Sequence, residues 1–112
     1  MAKYERALTG NFEQFLQHLH DGITRSSMSA TYEDGSDVNL GQVKMAVRVY
    51  ERYSMFGGNR VSLNITILGQ QDNLFVTAIT SGGSQAVFFK INTLGENAFL
   101  QACIDAIESW GR

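Results

Sequence analysis

Residues 43–80 read VKMAVRVYERYSMFGGNRVSLNITILGQQDNLFVTAIT, and apolar and polar side chains alternate along each segment between the glycine-bearing breaks. Alternation with a period of two places successive side chains on opposite faces of a β-sheet. The pattern predicts antiparallel strands at Val43–Met55, Val61–Leu68 and Leu74–Thr80, with a fourth at Gln85–Ile91. Short turns join these strands, so the stretch predicts a β-meander.

Helices are predicted on both sides of the meander. Asn11 is a suitable N-cap for the first, whose apolar stripe consists of Phe12, Phe15, Leu16, Leu19 and Ile23. The second begins at a capping box, Thr93-Leu94-Gly95-Glu96, and its apolar side chains are Phe99, Leu100, Cys103, Ile104 and Ile107.

Two more strands complete the expected fold. One is Ala2–Leu8, and the other places Met28, Ala30 and Tyr32 on one face before a turn at Asp34–Asp37. The predicted fold is one α+β domain over residues 1–112 in the order β-α-β-β-β-β-β-α. Both helices are expected on one face of an antiparallel meander sheet.

Composition limits the classes of function. A chain of 112 residues forms one domain, and its net charge of −2 argues against binding nucleic acid or an anionic membrane by bulk charge. The single Cys103 has no partner for an internal disulfide, and no apolar run reaches the length of a signal peptide or a membrane span. We therefore expect a cytoplasmic protein with no membrane association.

The offsets between strands follow from matching apolar faces. A three-residue loop at Gly57–Asn59 places Val49 opposite Ile67 and Tyr53 opposite Leu63. A turn around Gln70-Gln71 then places Ile67 opposite Leu74, Ile65 opposite Val76 and Leu63 opposite Ala78. This register predicts that the odd-numbered residues of the first meander strand face the core.

The opposite face then has cations at one side and large apolar groups at the other. Its expected residues include Lys44, Ala46, Arg48, Tyr50 and Arg52, then Ser62, Asn64, Thr66 and Leu68, and finally Phe75, Thr77, Ile79, Ala86, Phe88 and Lys90. With both helices on the core side, this face is expected to be bare unless a helix or the N-terminal strand covers part of it. A bare apolar patch of Phe75, Ile79 and Phe88 predicts self-association, most simply as a homodimer.

The cations predict a ligand site. Lys44, Arg48 and Arg52 lie on one face of one strand, where the like charges repel one another unless nearby anions neutralise them. They are expected to bind a small anionic ligand together with Tyr50 and Asn64, or to pair within the chain with carboxylates such as Glu33 or Asp37.

Glu51 is an exception on the predicted core face, because a buried carboxylate needs a partner or a raised pKa. One interpretation is a ligand or acid-base residue in a cavity between sheet and helices, with Tyr53 nearby. The favoured interpretation is a β-bulge near Tyr50 that turns Glu51 outward to pair with Arg52 or Arg60.

Other candidates for chemistry have structural interpretations. Ser81-Gly82-Gly83-Ser84 is typical of a hairpin turn, and it lacks the lysine and helix of a phosphate loop. His18 and His20 point to different sides of a helix, which favours solvated residues over metal ligands. Cys103 lies on an apolar stripe and is expected in the core. The sequence predicts no cofactor, no metal site and no catalytic residue.

Three segments, Ala46–Tyr53, Gly57–Leu63 and Ser81–Asn92, resemble an uncharacterised family of small bacterial proteins of unknown function. The resemblance spans most of the chain and implies a bacterial cytosolic protein, without an activity to carry over. The order of elements is also similar to helix-grip and TATA-binding-like folds, in which a curved antiparallel sheet wraps a helix.

Two function classes follow. The leading one is a non-enzymatic binding or self-association module that uses the outer sheet face. The alternative is a small-ligand-binding protein or modest enzyme with a cavity around Glu51. Single-stranded nucleic acid on the Arg/Tyr strand is a weaker third, because one tyrosine in an acidic chain offers little for stacking bases.

Overall fold

The computed structural model describes residues 1–53, 60–82 and 89–111, with the backbone alone for residues 89–94. The elements are β1 (Ala2–Thr9), α1 (Phe12–Arg25), β2 (Thr31–Leu40), β3 (Val43–Tyr53), β4 (Arg60–Gln70), β5 (Asn73–Gly82) and α2 (Phe89–Glu108). The described strands form one antiparallel sheet in the order β1-β5-β4-β3-β2. The predicted α+β class, with an antiparallel meander and two helices, is confirmed.

The predicted strand Gln85–Ile91 is wrong where it can be compared. Residues 85–88 lie outside the described part of the chain, and Phe89 to Ile91 form the first turn of α2. The predicted capping box at Thr93 to Glu96 therefore lies inside the helix. A short apolar run has the same pattern in a strand and in a buried helix, and only the packing of the whole domain distinguishes the two.

The first helix forms as predicted. Asn11 is its N-cap, and its Oδ1 accepts a hydrogen bond from the Gln14 backbone N–H at 2.9 Å. This bond satisfies one of the N–H groups that the first helical turn leaves without an intrahelical acceptor. Phe12, Phe15, Leu19 and Ile23 are buried along one stripe, and Leu16 packs partly buried beside them.

The core lies between the helices and one face of the sheet. There α2 lies over β1, β5 and β4, while α1 packs against α2 and β4. The sheet contributes Ala46 and Tyr50 from β3, Val61, Leu63, Ile65 and Ile67 from β4, and Leu74, Val76 and Ala78 from β5. Neither α1 nor the described length of α2 is long and apolar enough to cross a membrane.

The predicted offset between β3 and β4 is wrong. Ile67 pairs with Ala46 rather than Val49, and Leu63 pairs with Tyr50 rather than Tyr53. Each shift is three residues, and an odd shift exchanges the two faces of a strand. Tyr50 is therefore 1% exposed in the core, and Val47 and Val49 face the other side.

Two energetic terms favour the observed face. The predicted register buries the Glu51 carboxylate, which costs several kcal/mol when unpaired, whereas the observed register turns it away from the core. Burial of the Tyr50 ring adds the large apolar contact that aromatic side chains provide. In exchange, Val47 and Val49 lie on the other face of β3 and are less buried than the predicted register would make them.

The turns also differ from their predicted positions. The β4–β5 turn consists of Gln71 and Asp72, so that Ile65 pairs with Ala78 and Ile67 with Val76. This shift of two residues preserves the predicted faces. The segment predicted as a turn at Asp34–Asp37 instead lies within β2, and the chain turns at Gly41, whose φ is 63°.

The β3 register is tested by placing a carboxylate on each face. We expect Ala46→Asp to lower the free energy of unfolding by at least about 3 kcal/mol, because its side chain is fully buried opposite Ile67. Val47→Asp, on the other face between Ser36 and Thr66, is the control and should cost about 1 kcal/mol or less. Urea unfolding of both variants at low protein concentration is the measurement, and the reverse order would contradict the register.

Candidate functional site

The sheet face opposite the helices is called the outer face. The observed registers align one residue from every strand into a continuous row, consisting of Val38, Met45, Leu68, Phe75 and Ala7. All five side chains are apolar. Leu68 is 41% exposed and Phe75 is 38% exposed, so this apolar row lies open in the described structure.

Mixed rows flank the apolar row on both sides. The row nearer the β2–β3 turn consists of Leu40, Val43, Gln70, Asn73 and Thr9, and the next row in the opposite direction consists of Ser36, Val47, Thr66, Thr77 and Glu5. The predicted gradient ran across the strands, from cations to apolar groups. That gradient is wrong because β3 presents its other face.

Glu51 lies on the outer face at the end farther from the β2–β3 turn. Its Oε1 accepts from Arg60 Nε at 3.0 Å, and the Arg60 guanidinium also lies 3.7 Å from Glu33. The outward orientation and the Arg60 partner agree with the favoured interpretation. The cause is the β3 register, since the bulge in this region lies on β2 between Tyr32 and Asp34. A cavity centred on Glu51 beneath the helices is therefore excluded.

The predicted cation row lies on the helix side of β3, and its members have partners within the chain. Lys44 Nζ lies 2.6 Å from Glu13 of α1, and Arg48 Nη2 lies 2.9 Å from Asp37 of β2. The Arg52 guanidinium lies 4.8 Å from the centre of the Phe99 ring, and burial lowers its pKa. The row is thus divided among three separate environments.

The remaining predicted residues are placed as follows. Asn64 is exposed on the outer face, in the same row as Ile79, which is also exposed. Phe88 lies outside the described residues. Cys103 is buried in the core, and burial raises the pKa of its thiol to about 12. His18 is part-buried, and its Nε2–H donates to the Ala106 carbonyl at 2.8 Å rather than standing in solvent.

A cleft on the helix side brings together residues that the sequence did not connect. Its volume is about 280 Å³, and it is lined by Leu16, Gln17 and His20 of α1, Tyr32 of β2 and Arg48 of β3. The rings of His20, Tyr32 and Tyr50 lie 5.7–5.8 Å apart, centre to centre, forming an aromatic cluster. His20 was expected to be solvated, and this expectation is wrong.

A hydrogen bond links the cluster to the core. The Tyr50 hydroxyl and His20 Nδ1 are 2.9 Å apart, and burial raises the pKa of Tyr50 to about 12. The hydroxyl therefore keeps its proton at neutral pH while it remains hydrogen-bonded to Nδ1. The bond holds the His20 ring in one orientation at the cleft.

Within the described residues, no group of three or more His, Cys, Asp or Glu side chains is arranged to hold a metal ion. The chemistry offered by the cleft is a guanidinium, an imidazole, a phenol and an amide around an aliphatic side chain. This set suits binding of a small molecule.

These features define a small α+β domain whose antiparallel sheet carries two helices on one face, while no other described element covers the opposite face. The chain belongs to the family of unknown function DUF6054, which matches residues 1–111. The expected membership of a family of unknown function is confirmed.

One solved structure with a similar fold is a protein of unknown function from Pseudomonas aeruginosa. It has 10% sequence identity and a TM-score of 0.53, over 91% of this chain and 81% of that one. At this identity the similarity shows the fold alone. No curated protein matches the sequence.

The buried Tyr50 hydroxyl predicts a dependence of stability on pH. A pKa raised from 10.0 to about 12 in the folded state gives stability that is complete below pH 10 and is lost as the pH rises towards 12. We expect Tyr50→Phe to be less stable than wild type at pH 8 by about 0.5–1.5 kcal/mol, because the bond to His20 is lost. The difference should shrink by pH 11. At that pH the Tyr50 hydroxyl of wild type is ionised in the unfolded state and protonated in the folded state, which lowers the stability of wild type but not of Tyr50→Phe.

Guanidinium unfolding at pH 8, 10 and 11 measures the effect. Tyr53→Phe, at an exposed position on the same strand, is the matched control and should run parallel to wild type. Cys103 also lowers the stability at alkaline pH, because burial raises the pKa of its thiol, but this loss is common to all three proteins. Parallel curves for wild type and Tyr50→Phe would contradict the account of Tyr50.

Proposed function

We propose that this protein is a self-association module in which the outer face packs against the outer face of a second copy. The observation that supports this proposal is the apolar row that crosses all five strands from Val38 to Ala7. Covering this row removes exposed apolar surface from water, and a two-fold dimer covers it on both copies at once.

The size of the outer face suits a dimer. Five strands about 4.8 Å apart and four rows about 7 Å apart cover roughly 24 by 28 Å, or about 670 Å² in projection. Side chains that stand up from the sheet raise the accessible area towards the roughly 800 Å² that each partner buries in a specific complex. Two sheets packed in this way lie about 10 Å apart, as in a β-sandwich.

A groove at the end nearer the β2–β3 turn offers a specific contact. Its volume is about 320 Å³, and it lies along Leu68, Gly69, Gln70, Asn73 and Phe75 with Val43 and Leu74. Leu40 stands near the same end of the sheet and is 76% exposed. A two-fold axis across the apolar row lets Leu40 of each copy enter the groove of the other.

Pairing through strand edges is less favoured. The edge strand β2 carries Glu33, Asp34 and Asp37, and the other edge strand, β1, carries Lys3, Glu5 and Arg6. Charged side chains along an edge discourage the addition of another strand. The Glu51–Arg60 pair instead forms a polar border at one end of the outer face, as the rim of an interface requires.

The expected setting is a bacterial cytoplasm, as the family resemblance and the lone cysteine suggest. A buried thiol such as Cys103 needs no oxidising compartment, which is compatible with this location. The proposed activity is non-enzymatic binding to a second copy, and it involves neither nucleic acid nor a membrane.

The test is the molar mass in solution. Light scattering coupled to gel filtration at about 50 µM should give a dimer for wild type, and Leu68→Lys should weaken the dimer at least about tenfold, because each interface would bury two unpaired ammonium groups. The Leu68 side chain is already exposed in the monomer, so its unfolding free energy should change little.

Gln101→Lys is the control, because it introduces the same charge at an exposed position of α2, on the opposite side of the sheet from the outer face. It should leave the wild-type mass nearly unchanged. A wild-type monomer at this concentration, or equal weakening by both lysines, would reject the apolar row as the dimer contact.

A further inference from the structure

We propose that the cleft between α1 and β2–β3 binds a small planar anion, of the class of aromatic carboxylates. The cleft has a volume of about 280 Å³, near the lower limit for small-molecule sites. It lies on the opposite side of the sheet from the outer face, so the proposal is independent of the dimer.

A β-bulge builds one wall of the cleft. Thr31 and Tyr32 pair with Glu51 and Tyr50, and after one extra residue, Glu33, the pairing resumes with Asp34 opposite Val49. Without that extra residue the regular alternation would place Tyr32 opposite Glu51, on the outer face. The bulge therefore moves the Tyr32 ring to the helix side, and bulges are enriched beside binding sites because they redirect a side chain in this way.

Gly35 leaves the space that the neighbouring side chains occupy. A Cβ at this position would lie 2.6 Å from the Tyr32 hydroxyl, 2.7 Å from the Val47 carbonyl oxygen and 2.9 Å from Arg48 Cδ. Any other residue would push these groups apart. The glycine thus allows the phenol of Tyr32 and the stem of Arg48 to approach the same stretch of β2.

Arg48 supplies the positive charge, and its guanidinium is held in place. Nη1 donates to the Val47 carbonyl at 2.9 Å and to the Ser36 carbonyl at 3.3 Å, while Nη2 donates to Asp37. A guanidinium has five N–H donors, and these contacts to described residues leave Nε–H and one Nη2–H for a ligand. Two donors of this kind match the two oxygens of a carboxylate.

Asp37 competes with the ligand for Arg48. Its side chain is 66% exposed, while that of Arg48 is 18% exposed, so the ion pair lies at the mouth of the cleft rather than within it. Ion pairs at the protein surface contribute little to stability, and the carboxylate of a ligand can share or replace this one. Removing the Asp37 charge should therefore strengthen binding.

The rest of the lining favours a flat apolar body. Leu16 offers an aliphatic wall, and the His20 and Tyr32 rings stand edge to face at 5.8 Å. The Tyr50 hydroxyl fixes the His20 ring, so the wall is formed before a ligand arrives. A polyphosphate is a poor fit because the lining supplies one guanidinium beside an acidic group.

Benzoate is the probe, and its binding is followed by ¹H–¹⁵N NMR titration of the full chain. We expect saturable shifts that localise to Leu16, His20 and Gly35 and weaken as salt is added. Benzamide, which has the same ring without the charge, and inorganic phosphate, which has charge without a ring, should each bind at least tenfold more weakly. Equal binding of either one would overturn the proposed ligand class.

Three variants separate the contributions. Arg48→Met should weaken benzoate binding at least tenfold. Arg60→Met removes a cation from the outer face instead, and as the matched control it should leave benzoate binding unchanged. Asp37→Asn should tighten it two- to fivefold, a gain that a misfolded protein would not show. Shifts that survive Arg48→Met in a folded spectrum, or that map to the outer face, would overturn the site.

Discussion

The burial of the Tyr50 ring is the interaction on which the rest of this structure depends. Tyr50 lies in the core opposite Leu63 and reaches His20 of α1 through its hydroxyl. Once this ring faces the helices, the alternation of β3 fixes every neighbour on that strand. Lys44, Arg48 and Arg52 must then lie on the helix side, and Val47, Val49 and Glu51 must lie on the outer face.

The same constraint produces both surfaces to which we assign a role. Met45 comes to the outer face between Val38 and Leu68, and this completes the apolar row across the sheet. Arg48 comes to the helix side, where the bulge in β2 has also brought Tyr32. A register three residues away would divide the apolar row and would leave the cleft without its cation.

The two surfaces also differ in how they are held. The cleft is built on charged and aromatic side chains that hydrogen bonds and ring contacts already orient, among them Arg48 with the Val47 carbonyl and His20 with Tyr50. The outer face has apolar side chains on a rigid hydrogen-bonded sheet. Preorganisation of this kind lowers the entropy that binding costs, whether the partner is a small molecule or a second sheet.

Much of the fold follows from local patterns in the sequence. The Asn11 cap, the apolar stripe of α1, the strands at β1, β3, β4 and β5 and the α+β class all depend on residues close together in the chain, so spacing and propensity reveal them. Phe75 and Ile79 were also placed correctly on the outer face, since β5 has one plainly apolar side that the core requires.

Tertiary structure decided which face of β3 is buried. Both faces carry apolar residues, with Val47 and Val49 on one and Ala46 and Tyr50 on the other, so alternation alone allows either. The choice depends on the energy of burying Glu51 against that of burying the Tyr50 ring under α1, which are contacts between distant parts of the chain. The bulge that turns Tyr32 into the cleft was decided in the same way, because the Tyr32 ring contacts His20 of α1 and Tyr50 of β3, which the local sequence of β2 does not contain.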